Sequence, residues 1–320
     1  MTSKIHALAD KIMAGYRLQR GNDFSIFFET PLEELTVEAG RLQKHFCGSH
    51  VDLCTIINGR SGRCSENCKY CAQAACHHTG IEEYAFLPME EIIANARANQ
   101  EAGVNRFAIV TSGRALAGKE FDQAIAAYEK MRDTLTIELC ASHGIISREQ
   151  FQRLRAAGVT SYHHNIETSR RYFPQICTSH TYEDRIKTIK IAQEEGLCVC
   201  SGGIIGMGEN WEDRLDMALS LAELNIMSIP INALMPIKGT GLENQPQVTP
   251  DEIMRTIAIF RFINPEANIR LAAGRKLLPE NGAAAFTHGA SASITGNMLT
   301  TSGTTIKEDL AMLNRLGLSN

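Results

Sequence analysis

The chain has 320 residues, 44% of them hydrophobic and 21% charged, and a formal net charge of -4. That length admits two average domains or one large α/β barrel, a fold of about 250 residues. A net negative charge gives no cationic field for a nucleic-acid backbone or a lipid surface, and no apolar run approaches the roughly 18 residues of a membrane span. The opening MTSKIHALADKIMAGYRLQR lacks an uninterrupted apolar core ahead of a small-residue cleavage site. The expected compartment is therefore the cytoplasm. There the ten cysteines stay reduced and serve metal or redox chemistry rather than a disulfide framework.

Residues 1–46 read as a helical segment packed on the rest, with Pro31 opening LEELTVEAGRLQKHF. Strand-like runs then follow at 51–57, 106–111, 136–141, 161–167, 197–205, 229–235, 268–273 and, more weakly, 290–295. Helical patterns separate them, opening on Ser147 with Gln150, Thr181 with Asp184, and Thr249 with Pro250 and Glu252, and stopping at Gly103, Gly158 and Gly196. Parallel neighbours need a crossover helix, and eight strand–helix units suffice to close a cylinder. The predicted fold is an α/β (βα)8 TIM-type barrel over residues 47–320, with the N-terminal helical extension outside it.

The segment Arg63-Cys64-Ser65-Glu66-Asn67-Cys68-Lys69-Tyr70-Cys71 follows the first predicted strand, on the barrel end where active sites form. Three closely spaced thiolates can hold three irons of a cubane cluster and leave the fourth open. Spacing alone leaves a zinc knuckle completed by Cys76, His77 or His78 open as well. CxxxCxxC with an aromatic residue before its last cysteine resembles the signature of the radical S-adenosylmethionine superfamily. That resemblance implies a 4Fe-4S cluster on Cys64, Cys68 and Cys71, with S-adenosylmethionine chelated to the open iron and Tyr70 beside it.

Further stretches follow in order: CKYCAQ near residue 70, HNIETS (164–169), CSGGIIGMGE (200–209), SIPINAL (228–234), IRLAAGR (269–275) and LTTSGTT (299–305). Together, from about residue 24 to the end, the chain resembles the biotin synthases. The resemblance implies conversion of dethiobiotin to biotin by sulfur insertion, in a barrel that is usually a homodimer and is reduced by a donor such as flavodoxin or ferredoxin. It also implies an auxiliary iron–sulfur cluster whose ligands here read Cys140, Cys200 and Arg270. The strand RFAIVT carries Ala108 where the family has a further cysteine. Cys54, on the first predicted strand, is the leading replacement; Cys198 and Cys76 compete with it. A relocated ligand is compatible with a 2Fe-2S cluster or a four-iron type. Arg270 could instead pair with a carboxylate such as Glu167 or Glu138.

The resemblance assigns S-adenosylmethionine contacts to Asn165, Glu167 (where the family usually has aspartate), Arg185, Gly202, Gly203 and Ile204. It assigns dethiobiotin contacts to Asn165, Asn232, Thr300 and Thr301. Asn165 and Glu167, two apart on a predicted strand, are expected on one face. His163 and His164 stay outside the set, because radical hydrogen abstraction needs no general base. Two other readings share the cysteine loop. One is a maturation or mutase enzyme of similar barrel, such as a hydrogenase-cofactor maturase; the other is a non-enzymatic metal or cluster sensor.

Overall fold

A computed structural model describes residues 3–299 and 303–320. Nine strand segments form one sheet: β1 (Asp52–Arg60), β2 (Arg106–Thr111), β3 (Glu138–Ser142), β4 (Ser161–His163), β5 (Cys198–Cys200), β6 (Gly203–Ile205), β7 (Ser228–Ala233), β8 (Asn268–Leu271) and β9 (Ala292–Ile294). Every pairing is parallel. The order β5-β4-β3-β2-β1-β9-β8-β7-β6 closes on itself through β5 and β7, where Cys200 pairs with Ser228. Because β5 and β6 are two halves of one stave, the ring has the eight staves expected of the barrel.

Two predicted strands are corrected. The run at 197–205 breaks at Ser201–Gly202, where a Cβ on Gly202 would lie 1.9 Å from the Pro230 carbonyl oxygen. That run is continuous in hydrophobicity but not in backbone. The run at 161–167 is strand only to His163, and Glu167 sits at φ +69°. Left-handed backbone ends a ladder, so Asn165 and Glu167 belong to the loop above β4.

The helix signals sit where the sequence puts them. Ser147 with Gln150, Thr181 with Asp184 and Thr249 with Glu252 each close a reciprocal capping box. Gly103, Gly158 and Gly196 each follow a helix C-cap with φ between +79° and +98°. Before β1, the helix Lys4–Met13 lays Ile5, Ala9 and Ile12 toward the helix Leu32–Cys47, which in turn packs on the helix Pro250–Ile263. No helix of the described residues is long and apolar enough to cross a membrane.

Beside the barrel wall, His143 is an acid-sensitive group. His143 has no exposed surface and sits between Thr111 Oγ1 at 3.0 Å and Tyr128 Oη at 3.1 Å, and burial pushes its imidazole down to about 3. Once unfolded, the ring binds a proton near pH 6.5, so the unfolded chain holds the extra proton between those values. Its contribution to stability is full above pH 6.5 and is lost as pH falls toward 3. Denaturant titrations should show a loss of about 2 kcal/mol at pH 5 from this group alone, and His143→Gln should flatten that slope. An unchanged slope in the variant would contradict the assignment.

Candidate active site

Strand alternation sends Cys54 and Ile56 of β1, Arg106, Ala108 and Val110 of β2, Cys140 of β3, Cys200 of β5 and Arg270 of β8 into the lumen. There they line a cavity of about 310 Å³. Ala108 pairs in register with Ile56 on one side and Cys140 on the other, and Cys54, Ala108 and Cys140 form a buried cluster of their own. Cys198 is exposed although it precedes Cys200 by two on the same strand, and Cys76 is exposed on its loop. Of the three candidates to replace the missing cysteine, Cys54 is the one inside the barrel.

Arg270 is 2% exposed, and its partner is Asp52, to which Nη2 donates; Nη1 donates to the carbonyls of Asp52 and Ser293, each at 3.0 Å. The expected carboxylates are elsewhere. Glu138 pairs with Arg106 at 2.8 Å and Glu167 with Arg185 at 3.2 Å. Asp52 went unnoticed in the sequence, although it shares the inward parity of Cys54 and Ile56. Burial opposes its charge, yet Arg270 and Arg106 together hold the carboxyl below its usual range. Burial also pushes the Cys54 thiol up to about 11 against the pull of Arg270 and Arg106, and raises Cys140. Metal binding to these thiols would therefore displace protons.

The three-cysteine loop leaves the C-terminal end of β1 and is tied by Cys64 N to Gln73 O at 3.0 Å and Ala75 N to Cys64 O at 2.8 Å. Cys64, Cys68 and Cys71 line a second cavity of about 200 Å³. Burial pushes Cys71 up to about 11 and raises Cys64; Cys68 is raised first by its hydrogen bond with Cys177 and then by burial. Three soft donors facing one cavity fit an iron–sulfur cluster with one iron left for a ligand. The zinc-knuckle partners do not join them. His77 bonds the Cys71 carbonyl through Nδ1 at 2.8 Å, and it lines a separate hollow with His78.

The two cavities share a wall made of Tyr70, Val110, His163, Asn165, Glu167 and Leu299. Asn165 and Glu167 reach it together, as expected, but through a loop rather than a strand. Asn165 Oδ1 accepts from Gly202 N at 3.0 Å, its Nδ2 donates to Glu167 at 3.3 Å, and Arg185 Nη1 donates to the Asn165 carbonyl at 2.8 Å. Arg185 is buried, and its Nε donates to His180 Nε2 at 3.0 Å. An arginine so anchored keeps donor capacity for a carboxylate.

Ile204 N donates to the Glu167 carbonyl at 2.8 Å, and a Cβ on Gly203 would lie 2.3 Å from that oxygen. Backbone cannot retreat there without moving Glu167. Gly203→Ala should cost about 1–3 kcal/mol in denaturant titrations. A wild-type midpoint would sink the close-approach argument.

Asn232 spends half of its amide on backbone, donating to Gly203 O at 3.0 Å and accepting from Ala273 N at 3.1 Å. One donor and one acceptor site remain for the lumen. Thr300 and Thr301 lie outside the described residues; Met298 and Leu299, just before them, line the larger cavity.

Residues 60–221 match the Radical SAM superfamily, and residues 230–319 match the Biotin and Thiamin Synthesis associated domain. The chain is 56% identical over 313 residues to the biotin synthase of Alkaliphilus metalliredigens, covering 98% of each chain. It is 54% identical over 312 residues to that of Clostridium beijerinckii, covering 98% of this chain and 99% of the relative. Among solved structures, methylornithine synthase superposes with a TM-score of 0.84 at 18% identity, over 98% of this chain and 96% of that one. A maturase of FeFe-hydrogenase superposes with a TM-score of 0.81, also at 18% identity, over 99% of this chain and 75% of that one. At such identities the superpositions speak for the barrel alone, whereas the near-full-length matches separate this sequence from the maturases. The chain belongs to the biotin synthase family of radical S-adenosylmethionine enzymes.

Proposed function

We propose that the two joined cavities divide one reaction: Cys64, Cys68 and Cys71 hold the 4Fe-4S cluster, and Cys54, Cys140, Cys200 and Arg270 hold the auxiliary cluster, with dethiobiotin between them. When bound, these groups supply a 5′-deoxyadenosyl radical from S-adenosylmethionine and the sulfide that enters the product. The observation that carries the reading is the shared wall, because a residue such as Asn165 can touch both substrates only where their spaces adjoin. Asn165 and Glu167 orient the adenosyl ribose, Arg185 takes the methionyl carboxylate, and Gly202, Gly203 and Ile204 let backbone approach the adenosyl group beside Tyr70. Asn232 offers its free amide donor and acceptor to the ureido ring, and Thr300 with Thr301 receives the substrate carboxylate. The protein's share is placement and exclusion of competing hydrogen donors.

Three inward sulfurs with Cys54 in place of a residue-108 thiol support an auxiliary cluster of altered ligation, either a 2Fe-2S or a four-iron type. Residues 47–320 act as the catalytic unit and 1–46 as a segment packed on it, in the cytoplasm and as a homodimer, with a flavodoxin or ferredoxin as electron donor. The test is anaerobic reconstitution with iron and sulfide, then dithionite, S-adenosylmethionine and dethiobiotin, with mass spectrometry of the products. Both 5′-deoxyadenosine and biotin are expected. Deoxyadenosine without biotin would reject the substrate, and neither would reject the radical.

A further inference from the structure

Behind the three-cysteine loop lies a fourth thiol that the proposed function does not use. Cys177, 3% exposed, places its Sγ 3.7 Å from Cys68 Sγ. This proximity is built by bonds on both sides of each sulfur. Lys69 N donates to Ile176 O at 2.9 Å, and Asn67 Oδ1 accepts from Thr178 N and Ser179 N, each at 3.0 Å. His180 has its ring fixed by Arg185 Nε, which can only donate and so leaves the hydrogen on Nδ1, 3.3 Å from Cys177 Sγ. That same nitrogen also meets Glu66. With its hydrogen on Nδ1, the ring cannot ligate a metal through that atom, which argues against a mononuclear site on Cys68, Cys177 and His180.

What the pair can do is oxidise. Cys68 lines the cavity and meets whatever enters it, whereas Cys177 stands behind and does not line it. We propose that Cys177 is the resolving thiol for Cys68 in the cluster-free chain. A peroxide entering the cavity transfers one oxygen to Cys68 Sγ as its O–O bond breaks, leaving a sulfenic acid and water. Cys177 Sγ then attacks that sulfur, the S–O bond breaks, and the departing hydroxide takes the Cys177 proton as a second water. Two thiols are oxidised to one disulfide and one peroxide is reduced. The sulfurs have only to close from 3.7 Å to a bond of about 2 Å. The disulfide is reversible by thiol reductants, whereas an unresolved sulfenic acid proceeds to sulfinic and sulfonic acids that are not. Cys177 thus preserves a cluster ligand through cluster loss.

This consequence rests on Cys68 being a ligand; the disulfide itself does not. The cluster-free full chain is treated with hydrogen peroxide, alkylated, digested without reductant and mapped by mass spectrometry. A Cys68–Cys177 linked peptide is expected, and Cys177→Ser should instead carry sulfinic or sulfonic acid at Cys68. After dithiothreitol and reconstitution with iron and sulfide, peroxide-treated wild type should regain its iron, and the variant should regain several-fold less. Cys68 linked to Cys64 or Cys71, no link at all, or equal iron recovery in the variant would overturn the proposal. Should the variant bind no iron before oxidation, the wild-type peptide map decides alone. Untreated wild type that binds no iron would speak against the cluster, and a missing link in a chain that does bind iron would speak against the disulfide.

Discussion

Arg270→Met is expected to destabilise the chain by about 3–5 kcal/mol, the range for stranding one charge of a buried pair. Asp52, 6% exposed, would keep only Arg106, whose Nη2 lies 3.6 Å away and already serves Glu138. The carbonyls of Asp52 and Ser293 would also lose their donor. Adding Asp52→Asn should recover most of the loss, since an amide needs no counter-charge. Denaturant midpoints of the wild type, both single variants and the double variant measure this coupling, and simple additivity would refute it. The double variant also separates the observed duty of Arg270 in the ion pair from the one proposed for it at the auxiliary cluster. If it is stable yet takes up less iron on reconstitution, the guanidinium serves the auxiliary cluster as well as the barrel; full iron uptake would confine it to the ion pair.

Cys54→Ser should lower biotin formation by more than about 100-fold while 5′-deoxyadenosine continues to form, because a lost ligand costs at least what a lost supporting contact does. Under the proposed division of the reaction between the two cavities, the ratio of the two products isolates the auxiliary site. Mössbauer spectra of the reconstituted variant should retain the signals of the cluster on Cys64, Cys68 and Cys71 and lose those of the second. Ala108→Cys placed on Cys54→Ser should restore a second cluster, because residue 108 lies in the same buried group between Cys140 and Ile56. Unchanged second-cluster signals in Cys54→Ser would remove Cys54 as a ligand.

How far the sequence could be read differs from element to element. Capping boxes at Ser147, Thr181 and Thr249 and glycines at 103, 158 and 196 are local devices, satisfied within a few residues, and they mark helix ends directly. The apolar runs mark the staves for the same reason, since burial on both faces of a parallel sheet leaves a continuous hydrophobic stretch. The break after Cys200 and the left-handed Glu167 were hidden. Both answer to neighbours distant in sequence, Pro230 for Gly202 and Arg185 with Gly203 for Glu167.

By itself, the sequence determined the barrel, the three-cysteine loop at the end of its first strand and the family resemblance, because each is written in spacing and residue type. Tertiary structure alone decided that Cys54 rather than Cys198 or Cys76 enters the lumen, that Arg270 answers to Asp52 across 218 residues of chain, and that Cys177 stands behind Cys68. Alternation along a strand tells which residues share a face. Only closure of the sheet and the docking of its loops tell which of those faces meet.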